Sequence, residues 1–123
     1  MTKIYHDKDA DLSVLKDKTI AVIGYGNQGR AQALNMRDSG LKVIIGNIDD
    51  DYKKSAIKDG FEVYPIKEAA KKGDVLMILL PDEITPDIYK EQIENQLEEN
   101  NVISFASGYN IAFDLIKLSP VID

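Results

Sequence analysis

The sequence predicts an α/β domain with a doubly wound parallel sheet and helices on both faces. Three stretches of helical character end in glycine, at Gly40, Gly60 and Gly73, and a short apolar run follows each of them at once. Glycine just past a helix end can adopt the left-handed conformation that closes the last turn. The runs 20–23 and 75–80 are apolar without alternation, which is typical of strands buried on both faces of a parallel sheet. This regular alternation of helix and strand predicts the fold class.

The individual elements follow from the same pattern of glycines and apolar runs. The predicted strands are 19–23, 42–45, 61–64, 74–80 and 102–105, and the predicted helices are 27–39, 51–58, 66–72 and 86–98. The run 61–64 alternates between apolar and polar residues, so we expect it nearer the sheet edge. Thr85 is the expected N-cap of the last helix, with Pro86 at its first position. Asp11 is expected to cap a short helix near the N-terminus.

The composition of the chain excludes several classes of function. The 123 residues suffice for one domain, 1–123, and their net charge of −6 disfavours binding to a nucleic-acid backbone. No apolar run is long enough to cross a bilayer. The absence of cysteine excludes thiolate metal sites and indicates a reducing cytoplasm, and the single histidine, His6, excludes a histidine-rich metal site. Residues 119–123 have the pattern of a turn and the start of another strand, which predicts that the chain is part of a longer protein.

A glycine motif is the strongest indication of function. The segment Gly24-Tyr25-Gly26-Asn27-Gln28-Gly29 directly follows strand 19–23 and opens helix 27–39. In this context Gly24 makes a tight turn, Gly26 lets a pyrophosphate approach the backbone, and Gly29 lets the helix pack closely on the strand. The phosphates would lie on free N–H groups at the helix N-terminus. A glycine-rich turn without a ligand is the alternative, but the context favours a Rossmann-like dinucleotide site.

The loop after the second strand predicts which cofactor binds. Asp49 lies 20 residues beyond the last glycine of the motif, where an acid can bond the ribose hydroxyls. Asp49 or Asp50 is therefore the ribose candidate, while Asp51 is expected to cap the next helix; Asn47 is a further candidate contact. No Lys or Arg lies between Gly46 and Tyr52, so NAD is predicted in preference to NADP. The alternative is that the aspartates only cap the helix.

The turns after the fourth and fifth strands should complete the crevice, since ligands bind at the carboxyl ends of parallel strands. The candidates there are Leu80, Pro81, Asp82 and Glu83 after the fourth strand, and Ser107 after the fifth. We expect the fourth-strand turn to line the cofactor crevice without taking part in the reaction. The alternative is that it is only a loop with helix-capping acids. Ser107 is a candidate polar contact, but no neighbouring general base would make it a nucleophile.

The segments 4–12, 21–29, 31–35, 37–40 and 77–83 together resemble the N-terminal domain of the ketol-acid reductoisomerase family. The resemblance covers nearly the whole chain in order. Family members convert acetohydroxy acids to dihydroxy acids by a metal-dependent alkyl shift followed by reduction with a nicotinamide hydride, in valine and isoleucine biosynthesis. The resemblance implies that Tyr25, Gly26, Asn27 and Gln28, with residues 82–85 including Thr85, contact the cofactor.

Two departures from the family pattern bear on the site. The family usually has an active-site histidine where Ser107 stands, which makes Ser107 the one catalytic candidate, and it commonly has histidine where Arg30 stands. The basic and serine residues that hold a 2′-phosphate in most members are replaced by the aspartates 49–51.

The resemblance also implies what this chain lacks. The family's magnesium ligands and acetohydroxy-acid pocket belong to a helical C-terminal domain that is not in the sequence, so no metal is expected here, and the chain alone should bind cofactor only. A homo-oligomer is implied for the full-length enzyme. Two alternatives remain: a stand-alone dinucleotide-binding or redox-sensing module, and a β-hydroxyacid- or pyrroline-carboxylate-type dehydrogenase with a similar first domain.

Overall fold

The computed structural model describes all 123 residues and contains one sheet of five parallel strands. The strands are β1 (Thr19–Ile23), β2 (Lys42–Gly46), β3 (Val63–Tyr64), β4 (Val75–Ile78) and β5 (Val102–Phe105). Their order across the sheet is β3-β2-β1-β4-β5, and every neighbouring pair is parallel. The predicted fold class is confirmed.

The helices connect these strands. They are α1 (Asn27–Asp38), α2 (Asp51–Lys58), α3 (Ile66–Lys72), α4 (Thr85–Ile88) and α5 (Tyr109–Ala112). A π turn at Tyr89–Ile93 and a 3₁₀ turn at Glu94–Gln96 continue α4, and two 3₁₀ turns at Asp7–Asp9 and Leu12–Leu15 precede β1. None of the helices combines the length and apolar character needed to span a bilayer.

The central strand β1 sets the position of the crevice. Ile20 of β1 pairs with Val43 of β2 on one side and with Val75 of β4 on the other. From β1 the chain first builds outward through β2 and β3, and then crosses back to add β4 and β5. This reversal opens a crevice at the carboxyl ends of β1 and β4, where ligands of such sheets bind.

A separate apolar core lies on each face of the sheet. On one face, Ala21 and Ile23 of β1 pack with a cluster that includes Ile66 of α3. On the other face, Ile20 and Val22 pack with residues of α1 and α2. Because β1 is buried on both faces, its sequence lacks polar alternation.

The predicted edge position of the third strand is confirmed, although only Val63 and Tyr64 pair there with β2. The predicted strand 74–80 is regular only over Val75–Ile78. The predicted cap at Asp11 is confirmed, because its carboxylate accepts a hydrogen bond from the Ser13 N–H at 3.0 Å.

The prediction for the helix at 86–98 was wrong in two respects. Only α4 is α-helical, and Thr85 lies inside the first turn while Ile84 takes the N-cap position. The reason is that hydrogen bonding starts earlier: the Thr85 N–H donates to the Pro81 carbonyl at 3.2 Å, and the Thr85 hydroxyl donates to the same carbonyl at 2.8 Å. Thr85 therefore acts as a donor to the preceding turn.

Candidate functional site

A cleft of about 510 Å³ lies at the carboxyl ends of β1, β2 and β4. Its sixteen lining residues come from the β1–α1 turn, the β2–α2 loop, the β4–α4 turn, the end of β5 and the first turns of the helices, including α3. They are Gly24, Tyr25, Gly26, Asn27, Gln28, Asn47, Ile48, Asp50, Tyr52, Ile66, Leu79, Leu80, Pro81, Ile84, Ile88 and Ala106. Nine of the predicted contacts are in this set, so the structure brings most of them into one cavity.

The β1–α1 turn depends on two glycines for different reasons. Gly24 has φ +97°, and a Cβ there would lie 2.8 Å from the Leu79 carbonyl oxygen, so the residue permits both the turn and the close approach of the next loop. Gly26 is the N-cap of α1, and a Cβ there would meet nothing within 4 Å. The open space at Gly26 therefore borders the unpaired N–H groups of the first turn of α1, which favour an anion.

Gly29 lies beneath the cleft and does not line it. A Cβ on this residue would overlap the carbonyl group of Gly24 and come within 3.7 Å of Val22 Cγ1. Gly29 therefore sets how closely α1 packs against β1, and it acts on the site through the position of that helix.

Tyr25 forms part of the cleft wall, and its hydroxyl is already hydrogen-bonded within the chain. The side chain is only 1% exposed, its ring packs edge-on against Phe61 with centroids 5.7 Å apart, and its hydroxyl donates to Asp59 Oδ2 at 2.8 Å. Burial, with the bond to Asp59, raises the pKa of Tyr25 to about 12. The phenol therefore stays neutral at neutral pH and is poorly suited to act as an acid or base.

The β2–α2 loop is organised by Asn47, which is buried. Its Oδ1 accepts from the Tyr25 N–H at 3.1 Å, and its Nδ2 donates to Asp50 Oδ1 at 2.8 Å and to the Ile48 carbonyl at 3.0 Å. Asn47 thus ties the loop after β2 to the glycine turn after β1. Its polar atoms are used for positioning, although the residue also borders the cleft.

The three aspartates divide their roles differently from the prediction. Asp50, not Asp51, is the N-cap of α2, because its Oδ1 accepts from the Lys53 N–H at 3.1 Å. Asp49 is exposed, lies outside the cleft and pairs with Lys53 Nζ at 3.2 Å. Asp51 pairs with Lys54 Nζ at 2.9 Å. Asp50 alone borders the cleft, and its Oδ2 accepts no hydrogen bond from the chain.

The β4–α4 turn supplies apolar wall. Leu80 and Pro81 line the cleft, whereas Asp82, Glu83 and Thr85 do not. Thr85 is buried and bonded to the turn that precedes it. The acidic side chains of this turn are therefore not in the cavity of this structure.

At the end of β5, Ala106 borders the cleft and Ser107 does not. Ser107 is exposed, and its hydroxyl oxygen accepts a hydrogen bond from the Tyr109 N–H at 3.2 Å. No side chain that could act as a general base is bonded to this hydroxyl. No cluster of three or more His, Cys, Asp or Glu residues could hold a metal ion.

The cleft also contains residues that the motif did not single out. They are mostly apolar: Ile48, Tyr52, Ile66, Leu79, Ile84, Ile88 and Ala106. The four-residue spacing of Ile84 and Ile88, which places both on one helix face, was a usable signal. Ile66 faces the cleft only because of how α3 packs, and no local pattern indicates that.

Comparison with known proteins agrees with this geometry. Residues 14–123 match the family described as acetohydroxy acid isomeroreductase, NADPH-binding domain. The chain is 54% identical over 117 residues to a ketol-acid reductoisomerase (NADP(+)) of Petrotoga mobilis, covering 94% of this chain and 36% of that protein. It is 56% identical over 118 residues to the Methanocaldococcus jannaschii protein of the same name, covering 95% and 36%.

A solved structure is also similar. The NADH-preferring ketol-acid reductoisomerase from an uncultured archean superimposes with a TM-score of 0.95 at 47% identity, covering 98% of this chain and 38% of that one. The chain therefore spans little more than a third of the length of these relatives.

Proposed function

This chain belongs to the ketol-acid reductoisomerase family as its dinucleotide-binding domain, and from that premise we propose that it binds NADH across the cleft for the reduction of an acetohydroxy acid. The observation that carries the cofactor preference is the lining of the cleft: among its sixteen residues there is one carboxylate, Asp50, and no Lys or Arg. Substrate, magnesium and the alkyl shift are assigned to the remainder of a longer, homo-oligomeric cytoplasmic enzyme.

The pyrophosphate is assigned to the glycine turn. Gly26 leaves open space where a side chain would stand, and the N–H groups that follow it begin α1. A helix N-terminus carries a partial positive charge that attracts phosphate oxygens. Asn27 and Gln28, both exposed at this turn, supply further donors.

The adenosine ribose is assigned to Asp50. Its Oδ1 is occupied by the Asn47 amide and the Lys53 N–H, which fix the carboxylate, while Oδ2 stays available to accept from a ribose hydroxyl. A 2′-phosphate in the same place would face this carboxylate and lose the hydroxyl bonds. The two lysines in the first turn of α2, Lys53 and Lys54, are each paired with an aspartate.

The nicotinamide is assigned to the apolar end of the cleft, where Leu80, Pro81 and Ala106 leave room for a flat ring. When bound, the cofactor supplies a hydride. We assign Ser107 no proton transfer, because its hydroxyl accepts the Tyr109 N–H and has no adjacent base. Ser107 remains a candidate polar contact at the rim, together with Asp82 and Glu83, for which movement of the turn would be needed.

The test is calorimetric titration of the 123-residue chain with NADH and NADPH at low salt. We expect NADH to bind at least about tenfold more tightly, which corresponds to roughly 1.4 kcal/mol, as one lost hydroxyl bond and one charge repulsion would produce. Equal affinities or tighter NADPH binding would refute the preference.

A parallel assay with an acetohydroxy acid and magnesium should show no turnover by this chain. Turnover by the 123-residue chain would refute the assignment of metal and substrate to the remainder of the protein.

A further inference from the structure

A second cavity adjoins the cleft between α1 and α2. This side pocket, about 330 Å³, is lined by Tyr25, Gly26, Asn27, Arg30, Tyr52, Ser55, Lys58 and Asp59. Four of these residues, Tyr25, Gly26, Asn27 and Tyr52, also line the cleft, so the two cavities share part of their walls. Unlike the cleft, the side pocket contains two cationic side chains, Arg30 and Lys58.

Asp59 holds one of these cations in place. Arg30 donates from Nε to Asp59 Oδ2 at 2.8 Å and from Nη2 to Asp59 Oδ1 at 3.3 Å, an arrangement that uses both carboxylate oxygens. The Tyr25 hydroxyl fixes the same carboxylate from the other side at 2.8 Å, and Arg37 donates to the Asp59 carbonyl at 2.6 Å. The hydrogen bond from Arg30, followed by that from Tyr25, lowers the pKa of Asp59, so the carboxylate stays charged at neutral pH.

The side pocket lies at the adenosine end of the cleft. Tyr52 is two residues beyond Asp50, to which we assign the ribose, and it borders both cavities. Arg30 follows the last glycine of the motif, one turn into α1, and its side chain is 55% exposed. An arginine with a long flexible stem at this position could swing toward a phosphate on the adenosine ribose if nothing held it.

We propose that Asp59 is a specificity-determining residue, which disfavours a 2′-phosphorylated dinucleotide by holding Arg30 in an ion pair and so withholding a guanidinium from the 2′-phosphate. This inference rests on the proposed binding of a dinucleotide in the cleft. It adds a second source of discrimination to that of Asp50: one carboxylate repels the phosphate, and another holds the guanidinium of Arg30 away from it.

The test compares Asp59→Asn, Arg30→Gln and the double variant with the wild type, by calorimetric titration of the full chain with NADH and with NADPH at low salt. The amide oxygen introduced by Asp59→Asn would still accept the Tyr25 hydroxyl, so circular dichroism and thermal melting should show a folded protein. We expect Asp59→Asn to tighten NADPH binding about tenfold, in line with one new charge-assisted contact, and to leave NADH binding within about twofold.

Two controls make the mechanism specific. In the double variant the gain should vanish, because the glutamine that replaces Arg30 carries no charge, and Arg30→Gln alone should leave NADPH affinity unchanged. Asp59→Glu retains the carboxylate and should keep wild-type selectivity. The proposal is overturned if Asp59→Asn leaves NADPH affinity unchanged, if the gain persists without Arg30, or if no variant binds NADPH.

A further variant leaves Asp59 intact in case its replacement prevents folding. Ser55 is exposed, and its hydroxyl bonds only the Asp51 carbonyl of its own helix, so Ser55→Arg adds a second guanidinium to the side pocket, beside a carboxylate that Arg30 and the Tyr25 hydroxyl already occupy. NADPH affinity should rise about tenfold; no rise would place the pocket out of reach of the 2′-phosphate and overturn the proposal. Wild-type preference for NADPH would refute the proposed function instead, since the present inference concerns only changes between variants.

Discussion

The two glycines at the start of α1 should respond differently to the same substitution: Gly29→Ala should lower the stability of the fold, and Gly26→Ala should abolish dinucleotide binding. Gly29→Ala adds a methyl group that overlaps the Gly24 carbonyl, with the Cβ 2.9 Å from its carbon. A backbone group cannot move aside as a side chain can, so α1 must shift away from β1. Overpacking of this kind costs roughly 3 kcal/mol or slightly more, and the higher helix propensity of alanine returns about 1 kcal/mol. We expect a net loss of about 2–3 kcal/mol.

Such a loss is measurable by urea denaturation followed by circular dichroism. It is a large part of the roughly 6–18 kcal/mol expected of a domain of this size, and it should lower the melting temperature by about 8–12 °C. The matched control is Gly26→Ala, whose Cβ meets no atom within 4 Å.

That control should cost less than about 1 kcal/mol, as an N-cap change, while it abolishes dinucleotide binding by filling the phosphate space. A Gly29→Ala variant within about 0.5 kcal/mol of the wild type would refute the contact argument. A folded Gly26→Ala variant with unchanged NADH affinity would refute the phosphate assignment.

Three further predictions concern the loop after β2 and the buried phenol. Asn47→Ala leaves the buried Tyr25 N–H without its partner and should lower the free energy of unfolding by about 2–3 kcal/mol; a loss below about 1 kcal/mol in urea titration would count against its positioning role. Asp50→Ala should lose about 1 kcal/mol as a missing N-cap and bind NADH roughly tenfold more weakly in calorimetry, with a smaller change for NADPH; equal losses for both cofactors would refute the ribose assignment. Because burial raises the pKa of Tyr25 to about 12 from 10.0, its contribution to stability is fully present below pH 10 and is lost as pH rises toward 12. The stability difference between wild type and Tyr25→Phe should therefore shrink over that range in denaturant titrations, and a pH-independent difference would contradict the burial argument.

The strands and the glycine turn were predictable because their causes are local. Continuous apolar runs at β1 and β4 indicate burial on both faces, and the positive φ of Gly24 is one that glycine adopts without strain. These features depend on few residues that are close in sequence, so one chain without its relatives was sufficient to locate them.

The last predicted helix failed even though its spacing is helical. The buried residues Thr85, Tyr89 and Ile93 recur every four residues, while Ile84 is 46% exposed. The regular α-helix nevertheless ends at Ile88, and a π turn at Tyr89–Ile93 and a 3₁₀ turn at Glu94–Gln96 continue it. Apolar spacing alone did not reveal this, because the prediction assumed a single helical period.

The division of labour among the aspartates depended on tertiary contacts. Asp49, Asp50 and Asp51 are equivalent by composition, and the 20-residue spacing pointed to Asp49. Asn47 accepts a hydrogen bond from the Tyr25 N–H of a different loop, and its amide donates to Asp50. This contact orients the carboxylate of Asp50 toward the cleft and distinguishes it from the other two aspartates. A contact between residues that distant in sequence has no local signature, and the side pocket between α1 and α2 was missed for the same reason.

The strand order has a consequence for the sequence of events during synthesis. The glycine turn follows β1, and the second pairing partner of β1 is β4. Both edges of β1 can therefore be paired only after Val75, the partner of Ile20, has left the ribosome. Until then the emerging chain exposes an apolar strand edge, a state prone to misassociation. The wall formed by Leu79, Leu80 and Pro81 is added at the same late step, so the nascent chain cannot complete the cleft until β4 has docked.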